Sequence, residues 1–275
     1  MDSPLGAGDG ARRALGHALR ADGTAAAPTS SGALQVSLVA GRSSVTALSA
    51  STPLALLNPQ NHGHGAWVYQ SSHGGGWVGR DAVALEVQVD AGATLFLSSQ
   101  AASKAYRGAD SRFSLTGSVA DGALVSWPEP VTCFRDAALL QTQRLALHPG
   151  ASLLLVDALT AGRSARGERW AFSRYESRLH ITVGDRPVLT DSVLLAPRHG
   201  PLAPRLACDA TCLVVAVGPA FSGLASAEPG VSQWPWGWVL RCTAPSVESL
   251  QQHLRALLQR PVAHHLGDDP VSRRF

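Results

Sequence analysis

The chain has 275 residues, 45% of them hydrophobic, and carries 23 Lys and Arg against 20 Asp and Glu for a formal net charge of +3. That is enough apolar material for a large core, and all-β chains of this length often fold as one domain. The near-balance of charge, with no basic run interleaved with aromatics, argues against nucleic-acid binding. No stretch of about 18 apolar residues predicts a membrane-spanning helix.

Residues 1–31 are rich in Ala, Gly, Ser and Asp and offer little to bury, so they read as a flexible N-terminal tail, leaving 32–275 as a single β-rich domain. The Arg and Ala content also suits a transit peptide, against which stand Asp2, Asp9 and Asp22. Arg12-Arg13 is followed by no apolar segment of signal-peptide length. Leu34, Val36, Leu38, Val45 and Ala47 alternate around Gly41-Arg42-Ser43, which predicts a first hairpin. Prolines at both ends of Pro53–Pro59 confine that segment to an edge or a connection.

In His62-Gly63-His64-Gly65 an extended backbone would project both imidazoles to one face, as a cupin-type metal site requires. The further glutamate that such a site needs is replaced by Trp67-Val68-Tyr69. The segment reads as a Gly-rich surface loop, with His62 and His64 as weak metal candidates and a cupin-like metalloenzyme as an alternative. The run Gly74–Asp81 lacks the Gly-Lys-Ser/Thr ending of a phosphate loop and leads into a strand, Val83–Val89, rather than a helix.

A turn and a strand then recur. Asp90-Ala91-Gly92-Ala93 precedes Leu95–Leu97, Ala120-Asp121-Gly122-Ala123 precedes Leu124-Val125-Ser126, and His148-Pro149-Gly150-Ala151 precedes Leu153–Val156, with the glycines 30 and 28 residues apart. The strand entering each turn alternates and the strand leaving it is continuously apolar, so one is half wet and the other is covered on both faces. This quasi-repeat predicts an all-β fold of stacked hairpin-like units, a layered or superhelical body with a few helices. A β-solenoid binding protein is a second alternative on the same pattern.

Ser98-Ser99-Gln100 continues the strand Leu95–Leu97 in polar form, so some of these groups should point inward and need partners. Asp157 ends the apolar run Leu153–Val156, and Glu168 follows with Arg163, Arg166 and Arg169 available to pair. The four cysteines, Cys133, Cys208, Cys212 and Cys242, have no regular spacing and read as reduced thiols of a cytoplasmic protein. Cys133 is taken as a small core residue, Cys208 and Cys212 as thiols beside a turn, and His264-His265 as an exposed pair. Ser173–Pro197 predicts a second hairpin around Gly184–Pro187, and Leu213–Val217 a buried strand. Trp234, Trp236 and Trp238 fall on one face if extended, either core or a partner surface. Ser246–Gln259 is the one clear helix, capped by Ser246, stopped by Pro261 and striped by Leu250, Leu254, Leu257 and Leu258.

Four segments in order resemble the urease accessory protein family UreD, also called UreH. They are Gly74-Gly75-Gly76-Trp77-Val78-Gly79-Arg80-Asp81, Ser98-Ser99-Gln100-Ala101-Ala102-Ser103-Lys104-Ala105-Tyr106, Trp127-Pro128-Glu129-Pro130, and Gly162-Arg163-Ser164-Ala165-Arg166-Gly167-Glu168-Arg169-Trp170. Serines replace the family's threonines, Trp170 replaces a phenylalanine, and Asp157 stands where a glutamate is expected. The resemblance implies a non-enzymatic factor for nickel insertion into urease. It implies a UreF-like helical partner, a UreG-like GTPase reached through it, contact with the urease apoprotein, and Ni²⁺ as transient cargo with no tightly bound cofactor. It makes Asp81, Ser98, Ser99, Gln100, Lys104, Tyr106, Asp157, Arg163 and Glu168 candidates for an internal polar path. Leu250, Leu254, Leu257, Leu258, Trp234 and Trp236 become candidates for a partner surface.

Overall fold

The computed structural model describes residues 27–224 and 228–272. The chain runs through β1 (Ser30–Val39), β2 (Arg42–Ala50), β3 (Leu54–Leu57), β4 (Ala66–Ser72), β5 (Ala82–Val89), β6 (Thr94–Ser99), the short β7 (Lys104–Ala105), β8 (Ser111–Val119), β9 (Ala123–Ser126) and the short β10 (Val131–Cys133). It continues as β11 (Ala138–Leu147), β12 (Ser152–Thr160), a ribbon of β13 (Gly162–Arg163) and β14 (Glu168–Arg169), β15 (Arg174–Val183), β16 (Arg186–Leu195), β17 (Ala210–Val217), β18 (Val231–Trp234), β19 (Gly237–Ala244) and, as the one α-helix among the described residues, α1 (Val247–Leu266). A seven-stranded sheet has the order β16-β15-β11-β8-β5-β1-β2, and a ten-stranded one β18-β19-β17-β12-β9-β6-β4-β3 with β10 and β7 to the side.

The all-β expectation holds, and so does the repeat, but its units are not hairpins. β5, β8 and β11 lie in the first sheet and pair parallel with one another. β6, β9 and β12 lie in the second and do the same. Each turn therefore carries the chain from one sheet to the other, and the strands it joins face each other across the core. The chain coils, and the turns stack at one end: Gly92 N donates to Asp121 O (2.8 Å), Ala123 N to Ala93 O (2.9 Å) and Ser152 N to Gly122 O (2.9 Å). A positive φ explains Gly92 (+73°). At Gly122 and Gly150 the reason is room, since a Cβ would run into Ala93 O and the Asp121 carboxylate respectively. The parallel coil also excludes the cupin alternative, whose double sheet is an antiparallel jelly roll.

The burial follows the sequence pattern. β6 and β9 are buried throughout and β12 nearly so, whereas β5, β8 and β11 alternate. Leu153, Leu155 and Leu159 of β12 join the core between the sheets, and Leu154, Val156 and Ala158 join a second core under α1. The predicted hairpins appear as β1/β2 and β15/β16, turning at 40–41 and 184–185. β3 is an edge strand, as its prolines require. Most of the predicted tail lies outside the described residues, while Ser30 and Ser31 already belong to β1.

α1 starts where expected, with Ser246 accepting from Ser249 N (3.1 Å). Pro261 does not stop it, and the helix runs on to Leu266. Proline in a helix interior costs about 3 kcal/mol, and burial of Val262 and Leu266 beyond it offsets that. Leu250, Leu254, Leu258, Val262 and Leu266 form one ridge at i+4 spacing against the second sheet, with Leu257 half-buried beside it. The leucine stripe is thus occupied within the molecule and is not an open partner surface. The tryptophans also part company, because Pro235-Trp236 is the turn between β18 and β19. Trp234 and Trp236 pack toward the inter-sheet core, while Trp238 lies under α1 and donates Nε1–H to Phe221 O (2.8 Å).

Candidate functional site

A groove of about 800 Å³ opens on the outer face of the ten-stranded sheet, between the ends of β6 and β12, the segment Trp127–Pro130, the stretch after β3, and the side of α1. The prolines of Trp127-Pro128-Glu129-Pro130 cannot donate to a ladder, so the chain leaves the sheet there and its backbone groups need other partners. The serines of β6 supply them. Ser98 Oγ donates to Trp127 O (2.6 Å), and Ser99 Oγ accepts from Glu129 N (2.9 Å). Gln100 Oε1 accepts from Ser71 Oγ (2.9 Å), and Gln251 of α1 donates to Glu129 Oε2 (2.6 Å). Phe96 and Tyr69 meet edge to face, centroids 6.0 Å apart. The Tyr69 hydroxyl donates to Pro270 O (3.4 Å) and is pushed up to about 12 by burial and then by Asp268 and Asp269. The result is an apolar trough with a polar rim in which two of the resembling segments meet.

A second polar feature lies between the sheets. Asp157 keeps partial solvent contact, yet its carboxylate is enclosed by Gln141, Gln143 and Ser177. Its Oδ2 accepts from Gln141 Nε2 (2.9 Å), Gln143 Nε2 (3.2 Å) and Ser177 Oγ (3.1 Å). Burial pushes its carboxyl above the usual range and Asp191 adds to the rise, while the three donors oppose it. Burial also raises the Tyr175 hydroxyl, with the nearby Asp157 charge adding. Asp191 pairs with Arg241 across the edges of the two sheets. The donors around Asp157 are amides and a hydroxyl, so the side chain is not the arginine-paired carboxylate its sequence neighbours suggested. Gln141, Gln143 and Ser177 were not singled out from the sequence. Their signal was there: they fall in phase with the inward Leu139, Leu145, Tyr175 and Leu179, where polar residues are the exception.

The residues named together for a polar path fall into separate groups. Ser98 shares the Phe96 side of its strand, facing the groove, whereas Asp157 shares the Leu155 side, facing the other sheet. Glu168 is gripped by Arg163 through Nε (2.8 Å) and Nη2 (2.7 Å), which lowers its carboxyl, and Arg163 stacks 4.3 Å over Phe134. Asp81 closes its own turn by accepting from Val78 N (2.9 Å). Lys104 and Tyr106 sit against the glycine run: Trp77 N donates to Lys104 O (2.7 Å) and Tyr106 N to Trp77 O (2.9 Å). A Cβ on Gly76 would overlap Lys104 O, so these two segments meet through backbone, which is why glycine is required there.

The His-Gly-His-Gly loop has a mechanical role. Leu266 O accepts from His64 N (3.0 Å) and Gly65 N (3.1 Å), His64 Nε2 lies 2.8 Å from His265 O, and His62 N donates to Asp268 Oδ2 (2.8 Å). A Cβ on Gly63 or Gly65 would strike Leu266. The loop is the cradle for the end of α1, and among the described residues no group of three or more His, Cys, Asp or Glu is placed to hold a metal ion. His265 is held below the usual histidine range by burial and then by His64 and His264, so the predicted exposed pair is half right: His264 is exposed and His265 is partly covered.

The fold and the groove define an all-β protein, a coiled two-sheet body with sequence-motif segments gathered along a groove on one face. The UreD urease accessory protein family matches over residues 29–275. The chain belongs to that family. It is 43% identical over 263 residues to the urease accessory protein UreD of Sorangium cellulosum (strain So ce56), covering 89% of this chain and 84% of that one. It is 46% identical over 263 residues to UreD of Anaeromyxobacter sp. (strain Fw109-5), covering 88% of each. Urease accessory protein D of Oryza sativa subsp. indica is 40% identical over 179 residues, 62% of this chain and 58% of the relative. The role of the chain accordingly lies in urease maturation.

Proposed function

We propose that this chain is a non-catalytic scaffold for nickel insertion into urease, seating a UreF-like helical partner in the groove. Through that partner it engages a UreG-like GTPase, and it also contacts the urease apoprotein. The observation that carries the reading is the groove itself. Its volume of about 800 Å³ accommodates roughly one and a half turns of helix, taking an α-helix as about 10–12 Å across with a 5.4 Å pitch. Its apolar floor and satisfied polar rim match the anatomy of a protein interface. Ni²⁺ is transient cargo. The carboxylate of Asp157, bonded by the side chains of Gln141, Gln143 and Ser177, suits weak and passing coordination of a divalent ion rather than retention. The two glutamines can turn their amide oxygens inward when a cation replaces a proton donor. A cytoplasmic site of action fits the four free cysteines, and among the described residues no helix is long and apolar enough to cross a membrane.

Leu57 and Ala101 are exposed and line the groove. Leu57→Glu and Ala101→Glu should each reduce co-purification of the UreF-like partner by about tenfold or more, since burying an unpaired charge costs several kcal/mol, with the circular dichroism spectrum unchanged. Undiminished capture by both variants would remove the groove from the account.

A further inference from the structure

Two cysteines that the sequence leaves 30 residues apart are brought face to face. Cys212 on β17 and Cys242 on β19 are direct register partners in an antiparallel pair. Directly opposed residues in such a pair have Cα atoms about 4.5–5.5 Å apart, within the roughly 4.4–6.8 Å span of disulfides. Both side chains project toward α1, in the cluster that holds Val214, Leu240 and Leu250. Cys212 is buried, and Cys242 is partly open to solvent. The thiols are hydrogen-bonded to each other; the bond from Cys212 lowers Cys242 into the more readily ionised role and raises Cys212. The other two cysteines differ. Burial pushes the Cys133 thiol up to about 12, and burial likewise raises the Cys208 thiol.

We propose that Cys212 and Cys242 form a reversible oxidation site, in which Cys242 reacts with a hydroperoxide and Cys212 resolves the product as an intramolecular disulfide. In the first step the Cys242 thiolate attacks the peroxide, an S–O bond forms, the O–O bond breaks, and hydroxide leaves to take up a proton as water. In the second, the Cys212 sulfur attacks Cys242, the S–S bond forms, the S–O bond breaks, and a second water leaves with the Cys212 proton. Two thiols lose two electrons and hydrogen peroxide is reduced to two waters. The geometry supplies what such a site needs: a partly exposed thiol directly opposite a buried one that can resolve it. The disulfide would tie together two strands already in register, at a Cα separation that a disulfide spans.

The test treats the full chain with hydrogen peroxide, blocks free thiols under denaturing conditions and maps the peptides by mass spectrometry. The expected product is a cross-link between the Cys212 and Cys242 peptides, reversed by dithiothreitol and formed about tenfold faster than any oxidation of Cys133 or Cys208. Cys212→Ser should instead leave a sulfenic acid on Cys242 that dimedone traps, and Cys242→Ser should leave Cys212 unoxidised. Failure of the unmodified chain to form the cross-link, or oxidation of Cys242 to sulfinic acid with Cys212 still free, would overturn the proposal, as would faster reaction at Cys133 or Cys208.

Discussion

Replacing Leu258 by alanine is the cleanest way to ask what α1 is for. The side chain is 0% exposed and sits mid-ridge between the helix and the ten-stranded sheet. Truncating a buried leucine costs about 2–5 kcal/mol, the larger values arising where the surroundings cannot collapse into the cavity. Here one wall of the cavity is a hydrogen-bonded sheet, which cannot follow, so about 3–4 kcal/mol is expected. That is a rise of roughly 150- to 1000-fold in the unfolded-to-folded ratio, against a total stability of about 5–15 kcal/mol for an ordinary domain. Urea unfolding followed by tryptophan fluorescence reads it directly, because Trp67 and Trp238 belong to the same cluster. Leu257→Ala, half-buried one residue away, should cost less than about 1.5 kcal/mol. A cost below about 1 kcal/mol at Leu258, or a larger one at Leu257, would mean that the ridge does not face the sheet and that the leucines remain available to a partner.

Asp157→Asn should alter the pH dependence of stability with a definite sign. Burial raises the folded-state carboxyl of Asp157 above its unfolded value, so the native state binds the proton more tightly. Its contribution is therefore most favourable below the unfolded value and is lost as pH rises through the folded one. Urea midpoints from pH 4 to 8 should show the parent losing stability relative to the variant as pH increases; a difference independent of pH, or one of opposite slope, would contradict the burial of that charge. Gly63→Val tests the cradle. The added side chain meets Leu266 O and Asp268, and overpacking of this kind costs about 1–3 kcal/mol. An unchanged midpoint would show that the loop does not hold the helix end.

Much of the architecture was readable because period-two patterning survives in any β-sheet. The alternation in Val83–Val89 and the continuous run in Leu153–Val156 fixed which strands are half wet and which are covered. What patterning cannot say is whether two strands joined by a turn pair with each other or face each other. Asp90–Ala93 has the same composition either way, and only the long-range parallel pairing of β6 with β9 decides. Pro261 misled because a local rule was overridden by tertiary burial of Val262 and Leu266. The glycines of the His-Gly-His-Gly loop were explained only by residues some 200 positions later, at Leu266. The candidate site was partly visible: Ser98, Ser99 and Gln100 do need partners, but those partners are the backbone of Trp127–Glu129 and a serine of β4. Cys212 and Cys242 gave no sign of each other, because register between β17 and β19 is not written in their spacing.

The proposed role of this chain in nickel insertion is tested by deleting it. Urease purified from a urease-positive host lacking this chain should contain little nickel and show little activity. Both should be restored by the intact chain and not by the Leu57→Glu or Ala101→Glu form. Fully nickel-loaded, active urease from the host without the chain would contradict the account.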